Sequence, residues 1–286
     1  MSALAHLEKL LDDPAITDLV CNGHSHALVL RAGKWFSVPS PYGTEEELAE
    51  AARLLIAEGG RQIDQAHPFG NVTLGGRVRV HALLGSAVNP GTHLSLRVHG
   101  ERAYGLQQLV SAEEMLQLQQ ILASRESFLI SGSSGSGKTT LLRAMLLQVA
   151  SERVLAIEDV AELNLPSPTF VSLQSRAANV EGRGEINLQS LLTESLRMRP
   201  DRIVVGEVRG IELITMLQAI NTGHACGATI HANSIGEVSK RLLAIAHVAG
   251  LGESALNALV RSSLRWLIHI DCIDTNRRIT IRRITT

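Results

Sequence analysis

The stretch Gly132-Ser133-Ser134-Gly135-Ser136-Gly137-Lys138-Thr139, followed by Thr140, constrains this chain more than any other, because it fills the pattern G-x-x-x-x-G-K-[ST] at every fixed position. That pattern works only between a buried strand and a helix. Residues 127–131 (SFLIS) read as the strand and residues 139–150 (TTLLRAMLLQVA) as the helix. Glycines let the backbone curl so that successive N–H groups and the helix N-terminus converge on phosphates. Lys138 would neutralise β/γ oxygens, and the Thr139 hydroxyl can ligate Mg²⁺. The rival reading is a plain Ser/Gly linker. Against it, the chain has only four lysines and places one at this position.

Globular composition, with 45% apolar and 19% charged residues over 286 positions, allows one large or two modest domains. Lys+Arg 27 against Asp+Glu 28 leaves no global electrostatic footprint for nucleic acid or an anionic membrane. Cys21, Cys226 and Cys272 lie far apart and lack metal-ligand spacing, which predicts reduced thiols and a cytoplasmic protein. No export signal and no run of about eighteen apolar residues is found, so no transmembrane segment is expected.

Residues 1 to about 100 are strand-rich, with strands expected at 27–31, 34–38, 72–74, 77–84 and 93–98 and one helix at 45–58 closed by Gly59 and Gly60. This predicts a small α+β domain over 1–102. In its last two strands, period two sets Val78, Val80 and Ala82 against Arg77, Arg79 and His81, and Leu94, Leu96 and Val98 against His93, Ser95, Arg97 and His99. The basic face is either an ordinary solvated surface or a means of presenting arginines to a nucleotide. Residues 103–112 read as a linker.

From 113 to 286 strands and helices alternate, which predicts a mostly parallel sheet with helices on both faces. Two of its strands end in acids. Arg202-Ile203-Val204-Val205-Gly206-Glu207 places Glu207 where a phosphate-loop enzyme positions water and helps hold Mg²⁺. Glycine stands at 206, where an aspartate commonly precedes that glutamate. Val154-Leu155-Ala156-Ile157-Glu158-Asp159, with Glu162 beyond, supplies a second acidic strand end. The C-terminal edges of parallel strands converge on the ligand crevice, so these acids can reach one phosphate tail, with Glu207 as base and Glu158 as its catalytic companion. Alone, either acid is equally a helix cap. His224 and His231 bracket another strand and are read as packing residues or phosphate sensors. Arginines cluster at 197, 199, 202 and 209; Arg197 and Arg202 read as a solvated helix end. Arg277, Arg278, Arg282 and Arg283 read as solubilising.

Four motifs in order, GSSGSGKT, IEDVAEL, LRMRPDRIVVGEVRGIE and TGHACGATIHAN, resemble the type II/type IV secretion ATPase superfamily, with phrasing most similar to its tight-adherence (Tad) pilus and conjugal-transfer branch. The resemblance covers almost the whole chain. It implies a PAS-like N-terminal domain and a RecA-like phosphate-loop domain, ATP and Mg²⁺ as cofactors, and a homohexamer at the cytoplasmic face of the inner membrane. The motor would act on platform proteins of a pilus or secretion system, with no direct nucleic-acid contact. Glu158 and Glu162, with Asp159 between them, match the family's acidic box, Glu207 its Walker B glutamate, and His224 and His231 its histidine box. Arg79 and Arg97 match arginines that approach the nucleotide, often across a subunit boundary. The histidine box is one residue shorter than the Tad pattern, and the chain starts almost directly with the N-terminal domain. Rival functions are a conjugation or type IV secretion motor for DNA–protein substrates, a nucleotide-gated assembly factor without turnover, and a phosphate-loop kinase.

Overall fold

The computed structural model describes residues 4, 7–75, 78–85, 90–98, 104–176, 183–273 and 276–284. Among the sequence expectations, Arg77 and His99 lie outside the described residues. The chain divides into two compact units, one holding the described residues up to Val98 and the other those from Tyr104 onward.

The first unit runs α1 (Glu8–Leu11), β1 (Ile16–Asn22), β2 (Ala27–Arg31), β3 (Lys34–Val38), α2 (Glu45–Glu58), β4 (Phe69–Leu74), β5 (Val78–Leu83) and β6 (His93–Val98). Its strands form one antiparallel sheet in the order β3-β2-β1-β6-β5-β4. Period two holds in β5 and β6: Val78, Val80, Ala82, Leu94, Leu96 and Val98 are buried, while Arg79 and Arg97 face each other on the opposite side. Thr44 starts α2 by accepting the Glu47 N–H at 3.2 Å, and Leu48, Ala52, Leu55 and Ile56 join the buried cluster. Each such leucine or isoleucine contributes about 1.5–3 kcal/mol. The sequence reading had no strand at 16–22, yet β1 lies inside the sheet. A register shift between Ile16 and Asp18 breaks the alternation that would have revealed it.

The second unit comprises α3 (Ala112–Ala123), β7 (Phe128–Gly132), α4 (Lys138–Leu146), β8 (Val154–Glu158), β9 (Phe170–Gln174), α5 (Leu188–Ser195), β10 (Arg202–Val205), α6 (Glu212–Asn221), β11 (Ala225–His231), α7 (Val238–Val248), α8 (Glu253–Ser263), β12 (Trp266–Ile273) and β13 (Asn276–Arg283). The sheet order is β13-β12-β7-β11-β10-β8-β9. Every neighbouring pair is parallel except β12 with β13, so the phosphate-loop strand lies between parallel partners. Strands β7, β8 and β10 are buried along their whole length, as doubly covered parallel strands require.

Two expectations change here. Within the stretch read as a linker, Leu106 is fully buried in the same cluster as Leu118 and Leu142, with Leu109 and Val110 packed against it, so this stretch is anchored to the second unit. Arg202 is not a solvated helix end: it is 0% exposed, its Nε donates to Glu152 Oε2 at 3.0 Å and its Nη2 to the Leu122 carbonyl at 2.9 Å. A buried guanidinium is tolerable only with such partners. Arg197, by contrast, is exposed and pairs with Glu194 one helical turn away. Among the described residues no single helix is long and apolar enough to cross a membrane.

Candidate nucleotide site

Strand β7 delivers the chain to Gly132, and the loop turns into α4 at Gly137, whose φ of 98° is a conformation that suits glycine. Lys138, the first residue of α4, curls its side chain back over the loop. Its Nζ donates to the carbonyls of Gly132 at 3.0 Å and Ser133 at 2.8 Å. Burial lowers the Lys138 pKa from its ordinary value, and the charge of Arg209 pushes the same way, while the Glu207 carboxylate opposes both. The phosphate-loop cation and the expected base therefore lie within each other's electrostatic reach.

Glu207 follows the end of β10, where the backbone leans on β11: Val208 N–H donates to the Thr229 carbonyl at 2.8 Å, and the Thr229 hydroxyl donates to the Gly206 carbonyl. Arg209 clamps the carboxylate, with Nη2 2.7 Å from Glu207 Oε2. Asp159 and Glu162 add to the negative field around Arg209. Asp159 also accepts the Ser175 hydroxyl at 2.9 Å.

Glu158 ends β8, next to β10 in parallel register, and is only 3% exposed. Its Oε1 accepts the N–H groups of Glu162 at 3.0 Å and Leu163 at 3.2 Å, whereas buried Oε2 has no hydrogen-bond partner. Burial pushes its pKa up to about 7, against the pull of the two backbone donors. The glycine at 206 now has a reason. A Cβ on Gly206 would stand 3.0 Å from Glu158 Cγ, so the space an aspartate would fill at 206 is taken by the carboxyl-bearing arm of the neighbouring strand.

Arg143 on α4 was not singled out from sequence. Its Nε and Nη2 donate to the carbonyls of Leu163 and Asn164 at 2.9 and 3.3 Å, tying the acidic-box loop to the phosphate-loop helix. An arginine on an amphipathic helix gives no hint of such a partner.

The two histidines part company. His231 ends β11 level with Gly132, at the phosphate-loop edge of the sheet. His224 precedes the other end of β11, with Nδ1 3.3 Å from the Ala219 carbonyl at the C-terminus of α6. There it lines a cavity of about 340 Å³ together with Arg125, Asp201 and Arg265, at the strands' N-terminal edge. His224 is thus an α6 cap remote from the loop. In the other unit, Arg97 is held by Asp18 of β1, Nε to Oδ1 at 2.9 Å, and Arg79 stands directly across from it.

Among the described residues no cluster of three or more His, Cys, Asp or Glu side chains suits a metal ion. The available donors are the Thr139 hydroxyl and the carboxyls of Glu207 and Glu158, whose Oε2 is unsatisfied. Few protein ligands, supplemented by phosphate oxygens and water, are what Mg²⁺ takes in such sites.

Comparison with known proteins agrees with this architecture. Residues 73–280 match the family model described as Type II/IV secretion system protein. The chain is 39% identical over 277 residues to a Mycobacterium tuberculosis (strain H37Rv) protein named "Putative conjugal transfer protein Rv3659c", covering 92% of this chain and 79% of that one. Its fold resembles the solved structure of the pilus retraction motor PilT with bound ADP, at TM-score 0.70 and 19% identity over 98% of this chain and 82% of that one. It also resembles the VirB11 ATPase of the Brucella suis type IV secretion system in complex with sulphate, at TM-score 0.54 and 22% identity over 99% and 96%. The chain belongs to the type II/IV secretion system protein family, a family of ATPases.

Proposed function

We propose that this protein is a homohexameric, Mg²⁺-dependent ATPase motor whose output is mechanical work on the inner-membrane platform of a pilus or secretion system. The observation that carries the reading is the convergence of Lys138, Glu207 and Glu158 on one sheet edge, with Arg209 fixing Glu207. The loop N–H groups and Lys138 bind the phosphates and orient them. Bound Mg²⁺ would supply charge neutralisation at the phosphates, with Thr139 as the residue that would hold it. Glu207, held at one oxygen by Arg209, orients the attacking water with the other and takes its proton. Glu158, at a pKa of about 7, is poised to share or return that proton. His231, level with Gly132, is the histidine assigned to respond to the terminal phosphate, a choice supported by the position of His224 near the other end of β11 against the Ala219 carbonyl. Arg79 and Arg97 are the arginines offered to a neighbouring subunit, and Arg79 lies opposite the partner already bound to Asp18. Near-zero net charge supports a protein partner over direct grip on nucleic acid.

A second reading, a motor for DNA–protein substrates, is favoured by the conjugal-transfer name of the Mycobacterium relative. The test is Mg-ATP hydrolysis per subunit across a protein concentration series, for wild type, Lys138→Ala and Glu207→Gln. A rate that rises with concentration and vanishes in both variants is expected. Absence of turnover at all concentrations, with nucleotide binding intact, would instead support a nucleotide-gated assembly factor, and stimulation by DNA would favour the second reading.

A further inference from the structure

The β12–β13 hairpin stands beside the phosphate loop. Ile270 of β12 pairs with Gly132, and Cys272 Sγ lies 3.9 Å from the Ser136 carbonyl oxygen. Arg277 of β13 pairs with Cys272 across the hairpin. Its side chain lies along the loop: a Cβ on Gly137 would stand 3.4 Å from Arg277 Cζ and 3.5 Å from Nε. The guanidinium is thus laid against the residue that precedes Lys138. Arg277 is exposed, and its side chain has no hydrogen-bond or ion-pair partner among the described residues. Arg283 of the same strand differs, being taken up by Glu126 and the ring of Trp266.

Sheet order gives that position a direction. Glu207 follows β10 and Glu158 ends β8, both on one side of β7, and Lys138 feels Glu207, so the terminal phosphate of a nucleotide held by the loop points to that side. The nucleoside is the other end of that unbranched phosphate chain, and the side of the loop away from the two acids is the one open to it. That side holds β12 and β13.

We propose that Arg277 is a nucleoside-contacting residue, its guanidinium plane stacking on the base of a nucleotide bound at the phosphate loop. This rests on the nucleotide reading of the site and extends it from the phosphates to the base. A planar, always-charged guanidinium stacks on aromatic rings in a way that an ammonium does not.

The experiment is calorimetric titration of wild type, Arg277→Ala, Arg277→Lys and Lys138→Ala with Mg-ATP and, separately, with Mg-tripolyphosphate, which carries three phosphates and no nucleoside. Arg277→Ala is expected to weaken ATP binding about tenfold and leave tripolyphosphate binding unchanged, with Arg277→Lys recovering at most part of the loss. Unliganded melting temperatures matching wild type confirm that the exposed substitution spares the fold. Equal weakening for both ligands would make Arg277 a phosphate contact and overturn the proposal, as would no weakening for either. Lys138→Ala should weaken both ligands. A wild type that binds neither removes the nucleotide reading itself, and the Arg277 assignment falls with it.

Discussion

Gly206 and Glu158 occupy complementary halves of one space: the missing side chain of the first leaves room for the Cγ of the second, 3.0 Å from where a Cβ would be. The acid that sequence comparison expects before Glu207 is therefore supplied from the neighbouring strand. Gly206→Asp should lower the melting temperature and reduce kcat at least a hundredfold, because the new carboxylate meets both the Glu158 side chain and its charge. Adding Glu158→Ala should recover part of that loss, since one acid then occupies the space. Steady-state hydrolysis and thermal melts of the two singles and the double decide it. A double variant no better than Gly206→Asp alone would sink the exchange.

Glu158 also gives stability a pH dependence of defined sign. Its folded pKa of about 7 exceeds the ordinary 4.5, so both states hold the proton in acid and neither side is favoured. As pH rises through this window the unfolded chain ionises first, and the folded state loses stability until about pH 7. The full difference is about 3 kcal/mol at 1.36 kcal/mol per unit. Glu158→Gln, without nucleotide, should therefore raise the melting temperature at pH 8 clearly more than at pH 5 while abolishing turnover. An equal effect at both pH values would refute this account of the buried carboxyl.

The separation of the two histidines predicts separable defects. His231→Ala should reduce kcat about tenfold or more with little change in the unliganded melting temperature. His224→Ala should cost about 1 kcal/mol of stability through the lost α6 cap and leave ATP affinity intact. Titration calorimetry and melting curves on the two variants test the split, which fails if His224→Ala is the kinetically damaged one.

Arg143 carries a prediction about positioning. Arg143→Met keeps the aliphatic stem and removes both hydrogen bonds to the acidic-box loop. Turnover should fall several-fold while nucleotide affinity holds, because the loop whose N–H groups bind Glu158 loses its tie to α4. Loss of affinity with kcat unchanged would place Arg143 in phosphate binding instead. Arg143→Lys should recover only part of the rate, one ammonium being unable to span two carbonyls as the guanidinium fork does.

Much of this architecture was legible from pattern alone. Strands β2 and β6 and helix α2 fall where alternation and helical spacing put them, since apolar periodicity reports on which face is buried, and β3 and β10 also fall at the expected residues. The strand missed, β1, is irregular at its start. Within the site, Lys138, Glu207 and Glu158 could be named because chemistry at a parallel sheet edge draws on strand ends. What escaped were relationships between strands: why residue 206 is glycine, and where Arg143 and Arg277 point. Arg202 misled because it belongs to an arginine cluster that reads as a solvated helix end, while its partners Glu152 and Leu122 come from elsewhere in the chain. The histidines carried a clue, since a pair that brackets one strand sits at its two opposite ends.

Beneath the loop, His269 is 1% exposed and satisfied at both ring nitrogens, Nδ1 2.8 Å from Ser131 Oγ and Nε2 3.0 Å from Asp271 Oδ1. In folding terms it is a register pin. Were β12 to seat one residue out of step against β7, the ring would turn to the other face, leaving the Ser131 hydroxyl sealed in without its ring partner. The strand that continues into the hairpin of Arg277 thus carries its own mark for correct insertion, and a misaligned sheet edge is penalised before any nucleotide is bound.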